Sequence, residues 1–373
     1  MKICILSEYA FSILSNIQKH ETAGAELQMS ILAKELVKRS YDVSFITFNN
    51  TNFKFKEFNG IKVFNPFFNH YKGYTYLYPH NLFKLFKTLK KINADIYIQR
   101  AATPLTGLVS LYAKISKKAF LYSSASEDDV SYFLDINNIK DLNKLIYRFG
   151  VKHSSLVLCQ TSNQKELLKK SIGKNGTVLK NLYPISKTSN NHDSNPKPKI
   201  LWIGRIKDIK RPELFLELAK RIPEYEFLMI GGPTLDLDYY NKIKNEASKI
   251  KNLKFLGTIQ HDQINSYYQK SSILINTSIK EGFPNTYLEA WGNYLPVVTL
   301  DFDPDEIICN HKLGLHSKTF EQMMEDIKTL LKDDKLRKEM GINSRRYVEK
   351  EHNVKKIVNG YEYLIKSLVE GRS

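Results

Sequence analysis

Two glutamates, Glu281 and Glu289, stand eight positions apart in the stretch EGFPNTYLEA, with Gly282, Phe283 and Pro284 between them. On one unbroken helix they would lie about 12 Å apart along the axis and about 80° apart in rotation, a geometry in which they could not work together. Gly282 and Pro284 argue against such a helix. The stretch reads instead as a loop that leaves a strand, Ile273–Asn276, and turns into a helix through Asn285–Gly292. Pro284 suits the first helical turn, and Gly282 allows close approach of the backbone. Glu281 then precedes the turn and Glu289 lies about one turn beyond it. Backbone N–H groups at Asn285 and Thr286 would face an anion, helped by the helix dipole. A carboxylate at Glu289 can accept two hydrogen bonds from a ribose diol, as in dinucleotide sites. The plainer alternative makes Glu281 an electrostatic cap and Glu289 a solvent-facing side chain.

A second group of residues has the opposite charge. Trp202-Ile203-Gly204-Arg205 leads to Lys210-Arg211-Pro212. A strand ends at Gly204, and Arg205 and Lys210 follow in the turn beyond it. Two cations five positions apart across a turn can clamp a diphosphate and stabilise charge on a departing phosphate. The alternative is a basic loop with solvated side chains. Gly24, ahead of a helix that begins GAELQMS, offers a weaker anion-compatible surface nearer the N-terminus.

These residues need a scaffold, and the chain supplies an alternation of short apolar strands and helices. Lys2–Ser7, Val43–Thr47, Asp95–Gln99, Ala119–Tyr122, Leu156–Gln160 and Thr177–Leu179 read as strands with helical stretches between them. The segment SKTSNNHDSNPKPK, residues 186–199, is polar with no apolar period and reads as a linker. The pattern then restarts with strands at Ile200–Ile203, Glu226–Ile230, Leu253–Leu256, Ile273–Asn276 and Pro296–Thr299. Helices are expected at Pro212–Arg221, Tyr239–Ser248, Asp262–Gln269 and from about Thr319 onward. The expected fold class is α/β, with two doubly wound Rossmann-like domains facing a cleft at the strand C-terminal ends. The expected division is an N-terminal domain over 1–185, the linker 186–199 and a C-terminal domain over 200–355.

The chain of 373 residues is long enough for two cores, and its 42% hydrophobic and 25% charged content suits a globular protein. Its longest apolar runs fall far short of the roughly 20 residues of a membrane span. The N-terminal apolar run is too short for a signal-peptide core. Cys4, Cys159 and Cys309 are widely spaced, so neither a disulfide framework nor a metal cluster is expected, which fits a reducing cytoplasm. The net charge is +17, distributed unevenly: residues 1–190 hold 27 Lys and Arg against 13 Asp and Glu, and residues 191–373 hold 29 against 26. A basic first half suggests an anionic partner. A lysine-rich composition spread over solvated faces is the bland reading.

Taken together, Gly24-Ala25-Glu26, Gly204-Arg205 with Lys210, Gly231-Gly232-Pro233, Phe255-Leu256-Gly257 and Glu281/Glu289 followed by Leu295-Pro296-Val297-Val298 resemble retaining, metal-independent glycosyltransferases of family 4, which have the GT-B fold. The resemblance covers nearly the whole chain. It implies that Arg205 and Lys210 hold the donor diphosphate, that Glu281 contacts the transferred sugar and that Glu289 binds the ribose. It places Phe283, Asn285 and Thr286 around the sugar phosphate, with Gly282, Gly204 and Gly24 allowing close approach, and the base near Gly257–Ile259. It also implies an N-terminal acceptor domain on which a last helix, about 356–373, packs back. The implied co-substrate is a nucleotide diphosphate sugar with no further cofactor and no metal, and the implied acceptor is a hydroxyl of a glycan or a lipid-linked molecule. Many family members carry a histidine after the fourth strand of the first domain. Here that stretch reads LYSSASEDD, residues 121–129, with no histidine, and Ser124, Ser126 or Glu127 is the residue expected in its space.

Residues 80–92, HNLFKLFKTLKKI, carry apolar side chains at 82, 85, 86, 89 and 92 and lysines at 84, 87, 90 and 91, after the aromatic-rich stretch 67–78. Two readings stand. One is an interfacial helix docking on an anionic membrane, hence a peripheral position on the cytoplasmic face. The other is an ordinary helix with its stripe in the core. Other functions fit less well. A nucleic-acid-binding protein would account for the charge but not for the ordered Arg205, Lys210, Glu281 and Glu289, and no nucleic-acid motif is present. A nicotinamide enzyme would need a glycine-rich GxGxxG after an early strand. A sugar-nucleotide epimerase or a phosphorylase could share the architecture.

Overall fold

The computed structural model describes residues 1–15, 24–48, 53–67, 77–131, 141–185, 198–234 and 236–371. Residues 186–197 of the expected linker and most of the aromatic stretch 67–78 lie outside the described residues, and Lys199, placed in the linker by the sequence, opens the first strand of the second unit. The chain divides into two compact units, residues 1–182 with 354–373, and residues 183–353.

The first unit is built on β1 (Lys2–Leu6), β2 (Asp42–Ile46), β3 (Phe55–Phe58), β4 (Ile61–Phe64), β5 (Ile96–Arg100), β6 (Ala119–Ser123), β7 (Leu156–Cys159) and β8 (Thr177–Val178). Their order across the sheet is β3-β4-β2-β1-β5-β6-β7-β8. Every pairing is parallel except β3 with β4. Strand residues alternate between two cores. Ile3 and Ile5 of β1 pack with Met29, Leu32 and Leu36 of the helix Gly24–Lys38 and with Ile357, Val358 and Tyr361 of the helix Val354–Glu370. Cys4 and Leu6 join the opposite core with Leu85, Leu89, Leu105, Val109 and Val151. Burial on both faces is why these strands read as continuous apolar runs rather than alternating ones.

The sequence reading misses the edge hairpin β3–β4. Its turn is Asn59-Gly60, with φ of 49° and 77°. Two consecutive positive φ values are what a two-residue hairpin turn between right-twisted strands requires, and Asn-Gly supplies them cheaply. The helix Pro79–Ile92 buries Leu85, Leu89 and Ile92, with Leu82 and Phe86 packed partly against the same core. Its apolar stripe is therefore core. Phe83 is a separate case: it is 70% exposed among exposed lysines.

The second unit carries β9 (Lys199–Ile203), β10 (Glu226–Ile230), β11 (Leu253–Gly257), β12 (Ile273–Asn276), β13 (Val297–Thr299) and β14 (Gly314–His316). All pairings are parallel, in the order β11-β10-β9-β12-β13-β14. The chain winds outward from β9 through β10 to β11, then returns to the other side of β9 as β12 and winds outward again. The reversal lies between β9 and β12. In open α/β sheets this is where the loops beyond the strand ends diverge and leave room for a ligand. Ile200 and Trp202 of β9 face one core and Leu201 faces the other. Among the described residues, no helix is long and apolar enough to cross a membrane.

Candidate active site

The two charged motifs leave adjacent strands at this reversal point. Beyond β9 the chain passes Gly204 and Arg205, makes a short 3-10 turn over Asp208–Lys210, and enters the helix Pro212–Arg221 through Arg211. Arg211 takes φ 45°, a left-handed conformation, so the turn tightens before Pro212 sets the first helical φ. Beyond β12 the chain runs from Thr277 to Glu281, and the helix Asn285–Gly292 starts after Pro284.

The two exit loops are bound to each other. Thr277 is the central link: its hydroxyl donates to Lys210 O at 2.6 Å and accepts from Trp202 Nε1 at 3.0 Å. Arg211 Nε donates to Thr277 O at 2.7 Å, and Arg211 also forms an ion pair with Asp301 beyond β13. Ile279 N donates to Ile209 O at 3.0 Å. The result is that Lys210 and Glu281 form an ion pair, with side chains 21% and 14% exposed. Ser278 Oγ donates to Glu281 Oε1 at 2.7 Å, and Ser278 N is held by Asn276 Oδ1 at 2.8 Å. A half-desolvated pair of this kind interacts more strongly than one in bulk water, because the surroundings screen it less.

The neighbouring loop beyond β10 closes against the same place. Gly231 N donates to Gly257 O at 2.9 Å, and Ile206 N donates to Gly232 O at 3.0 Å. A Cβ on Gly231 would stand 2.2 Å from Gly204 O, so the two backbones approach as closely as they do only because glycine is there.

Glu289 is placed by a different set of partners. Tyr268 OH donates to Glu289 Oε2 at 2.7 Å, from a phenol that is 1% exposed. Burial, together with the Glu289 carboxylate, holds the Tyr268 phenol well above its ordinary pKa, so it stays a neutral donor. Asn293 Nδ2 donates to the Glu289 carbonyl at 2.9 Å.

The structure thus brings Lys210 and Glu281 together and places Glu289 on the helix that follows, held from a third element. Arg205 is exposed on the β9 exit loop. Gly282 is buried in the turn, and Asn285 and Thr286 are half-buried in the first turn of the helix Asn285–Gly292. Phe283 is 6% exposed, with its ring 4.9 Å from that of His352 and in the same core as Trp291. Gly24 belongs to the first unit, where it opens the helix Gly24–Lys38 and is exposed. Also in the first unit, Ser124 Oγ donates to Gln164 Oε1 at 2.8 Å, Ser126 Oγ to Asp129 Oδ1 at 2.8 Å, and Glu127 accepts from Asn163 Nδ2 at 2.6 Å.

Sequence reasoning does not single out Thr277, Ser278, Arg211 or Tyr268. Thr277 and Ser278 had a usable signal, since hydroxyl residues directly beyond a strand end commonly tie exit loops. Tyr268 had none, because its partner lies 21 residues away on another helix.

Residues 185–347 match the family described as glycosyl transferases, group 1. This part of the chain, less than half of its 373 residues, is similar to the group 1 glycosyl transferases. An uncharacterized glycosyltransferase of Methanocaldococcus jannaschii is 23% identical over 383 residues, covering 93% of this chain and 95% of that one. The O-antigen biosynthesis glycosyltransferase WbnH of Escherichia coli is 21% identical, over 76% of this chain and 80% of that one. A glycosyltransferase 1 domain-containing protein of Xenopus tropicalis is 26% identical, but the match spans 45% of this chain and 49% of that protein. The chain also shares its fold with solved structures. Sucrose-phosphate synthase from Thermosynechococcus elongatus has a TM-score of 0.78 at 15% identity, covering all of both chains. Anabaena HepE in complex with UDP-glucose has a TM-score of 0.73 at 16% identity, covering 99% of this chain and 100% of that one. The chain therefore has the GT-B type of fold, with two parallel-sheet α/β units.

Proposed function

We propose that the protein is a retaining, metal-independent glycosyltransferase of family 4. It moves a glycosyl group, a hexosyl or related one, from a nucleotide diphosphate sugar to a hydroxyl of a glycan or lipid-linked acceptor in surface polysaccharide assembly. The observation that carries this reading is the Lys210–Glu281 pair at the sheet reversal between β9 and β12.

The roles follow from charge and position. Lys210 and Arg205 hold the donor diphosphate, with Asn285 and Thr286 at the start of the following helix. Glu281, oriented by Ser278, contacts hydroxyls of the transferred sugar, and Glu289, oriented by Tyr268, binds the ribose diol. Gly204 and Gly282 keep the exit loops close to the ligand, Phe283 sets the turn between them from the core, and Gly24, at the start of a first-unit helix, offers a further anion-compatible backbone. As the sugar–diphosphate bond breaks, positive charge develops at the anomeric carbon and negative charge on the leaving diphosphate. Fixed cations stabilise that negative charge in place of a general acid or a divalent ion.

Support for a nucleotide-sugar donor comes from HepE, whose structure contains UDP-glucose, and support for polysaccharide assembly from the O-antigen role in the name of WbnH. On the helix Pro79–Ile92, exposed Phe83 with Lys84, Lys87, Lys90 and Lys91 favours a peripheral position on an anionic membrane face, on the cytoplasmic side where the donor is made. The test is incubation with a panel of nucleotide sugars and lipid-linked or glycan acceptors in a chelator, with NMR of the product anomer. A glycoside of unchanged anomeric configuration is expected. Interconversion of free nucleotide sugars without transfer would instead identify an epimerase.

A further inference from the structure

The sequence gives no sign of a metal cluster, but the fold of the second unit gathers three side chains with metal-binding atoms. Asp303 lies beyond β13, Cys309 on the short helix Ile307–Asn310 and His316 at the end of β14. A carboxylate oxygen, the thiol sulfur and an imidazole nitrogen all lie within 4.8 Å of one another. The geometry points to a site for a single zinc-class divalent cation, bound by the Asp303 carboxylate, the Cys309 thiolate and the His316 imidazole. This goes beyond the transferase reading and takes no part in sugar transfer.

The donor set is the first argument. One sulfur, one nitrogen and one oxygen form a mixed set that suits zinc and disfavours magnesium or calcium, which take oxygen ligands. Tetrahedral zinc holds its ligand atoms roughly 3.3–3.7 Å apart, so side-chain rotations of about 1 Å complete the contacts. Three protein ligands leave a fourth position for water.

The second argument is that the oxygen ligand is already oriented. Asp303 Oδ1 accepts from Ile308 N at 2.9 Å and Oδ2 from Cys309 N at 3.2 Å. Each oxygen keeps a lone pair, and the bonds fix the carboxylate beside the residue that supplies the thiol. The turn that makes this possible puts two successive non-glycine residues, Asp305 and Glu306, at φ 51° and 57°. Such left-handed backbone is costly and persists where surrounding contacts determine it. His316 approaches from the neighbouring strand, in register with Thr299.

The third argument is access. Cys309 and His316 line an open groove of about 660 Å³ together with Lys312, Asp326 and Glu339. Cys309 is the one exposed cysteine of the chain, and Cys4 and Cys159 are buried. The site also adjoins the proposed donor site through one contact. Tyr287 OH, on the helix that carries Glu289, donates to Phe302 O at 3.0 Å, one residue before Asp303. A bound cation would tie the β13 exit loop to β14 and steady the loop on which that helix leans. The Cys309 thiol gives its proton to solvent as the cation binds.

The experiment uses the full chain, kept reduced and stripped with a chelator, then titrated with zinc against a chromophoric competitor and separately with cobalt(II). One equivalent of zinc is expected, with a thiolate-to-cobalt charge-transfer band. Cys309→Ser should abolish the band, and both Cys309→Ser and His316→Gln should weaken zinc by at least about 100-fold, more than loss of an outer-shell partner costs. Zinc should raise the Tm of the wild type and leave that of Cys309→Ser unchanged. Wild-type zinc affinity equal to that of Cys309→Ser, or cobalt binding without the band, would overturn the assignment. No nucleotide sugar enters the measurement, so its failure is separate from any failure of the transferase reading.

Discussion

Lys210 and Glu281, 71 residues apart in the chain, meet as an ion pair where two adjacent parallel strands release their exit loops. Neither side chain is more than about a fifth exposed, so removing one partner leaves the other charge poorly solvated. Lys210→Ala should therefore destabilise the protein by about 2 kcal/mol, somewhat less than the ~3–5 kcal/mol for a fully buried pair. The double variant Lys210→Met with Glu281→Gln should recover most of that loss. Urea denaturation of the three proteins checks the expectation. Equal stability of single and double variants would mean that the pair is solvated.

Thr277 joins the two exit loops through both lone-pair and proton functions of one hydroxyl. Thr277→Val keeps the shape but leaves the Trp202 indole N–H, in a side chain 2% exposed, without its acceptor. A loss of about 1–3 kcal/mol is expected, together with weaker nucleotide-sugar binding, whereas Thr277→Ser should retain both. Denaturation and calorimetric titration measure the two effects.

Tyr268 is the clearest case for a pH profile. Its phenol is raised by burial and by Glu289, so folding favours the protonated form. A raised folded pKa gives stability that is full below the ordinary phenol value of about 10 and is lost as pH rises beyond it. The stability difference between wild type and Tyr268→Phe should thus be constant from neutral pH to pH 9 and shrink at higher pH. The same substitution should weaken donor binding by about tenfold, the value of one hydrogen bond to a charged group. A difference that grows with alkaline pH would contradict the assignment.

The cysteines should react very unequally. Burial pushes the Cys159 thiol up to about 12 and raises Cys4 still further. Burial and Asp303 raise the Cys309 thiol as well, but it is exposed, so iodoacetamide at pH 8 should modify one equivalent in the chelator-stripped native protein, at Cys309, and three after denaturation. Peptide mapping identifies the site.

Much of this was legible in the sequence, and the exceptions have physical causes. The strand β12 and the helix Asn285–Gly292 fall where the apolar run and Pro284 place them. The break between Glu281 and Glu289 is real, and it separates a carboxylate in a strand-exit loop from one on a helix. Spacing alone could not tell which neighbours each would take. Glu281 found Lys210 because the strand order sets β12 beside β9, and order is a tertiary property. Tyr268 reached Glu289 for a similar reason. The Asn59-Gly60 hairpin was readable from its turn residues, but β3 is exposed along most of its length and lacks an apolar signature. The stripe on Pro79–Ile92 was readable as a stripe, but periodicity does not say whether a stripe faces core or lipid, and burial of Leu85 and Leu89 decides it. Asp303, Cys309 and His316 escaped notice because their spacing follows a helix, a turn and a strand rather than a compact metal-binding loop.

The most direct test of the central claim is the rate at which a nucleoside diphosphate is released from each of a panel of nucleotide sugars, with and without acceptor. Wild type, Lys210→Ala and Glu281→Gln would be compared. Turnover of at least one donor by the wild type is expected, with a loss of about 10²–10³-fold in each variant, the cost of removing one preorganised charge-stabilising group. No release from any donor, or release by Lys210→Ala at the wild-type rate, would contradict the account.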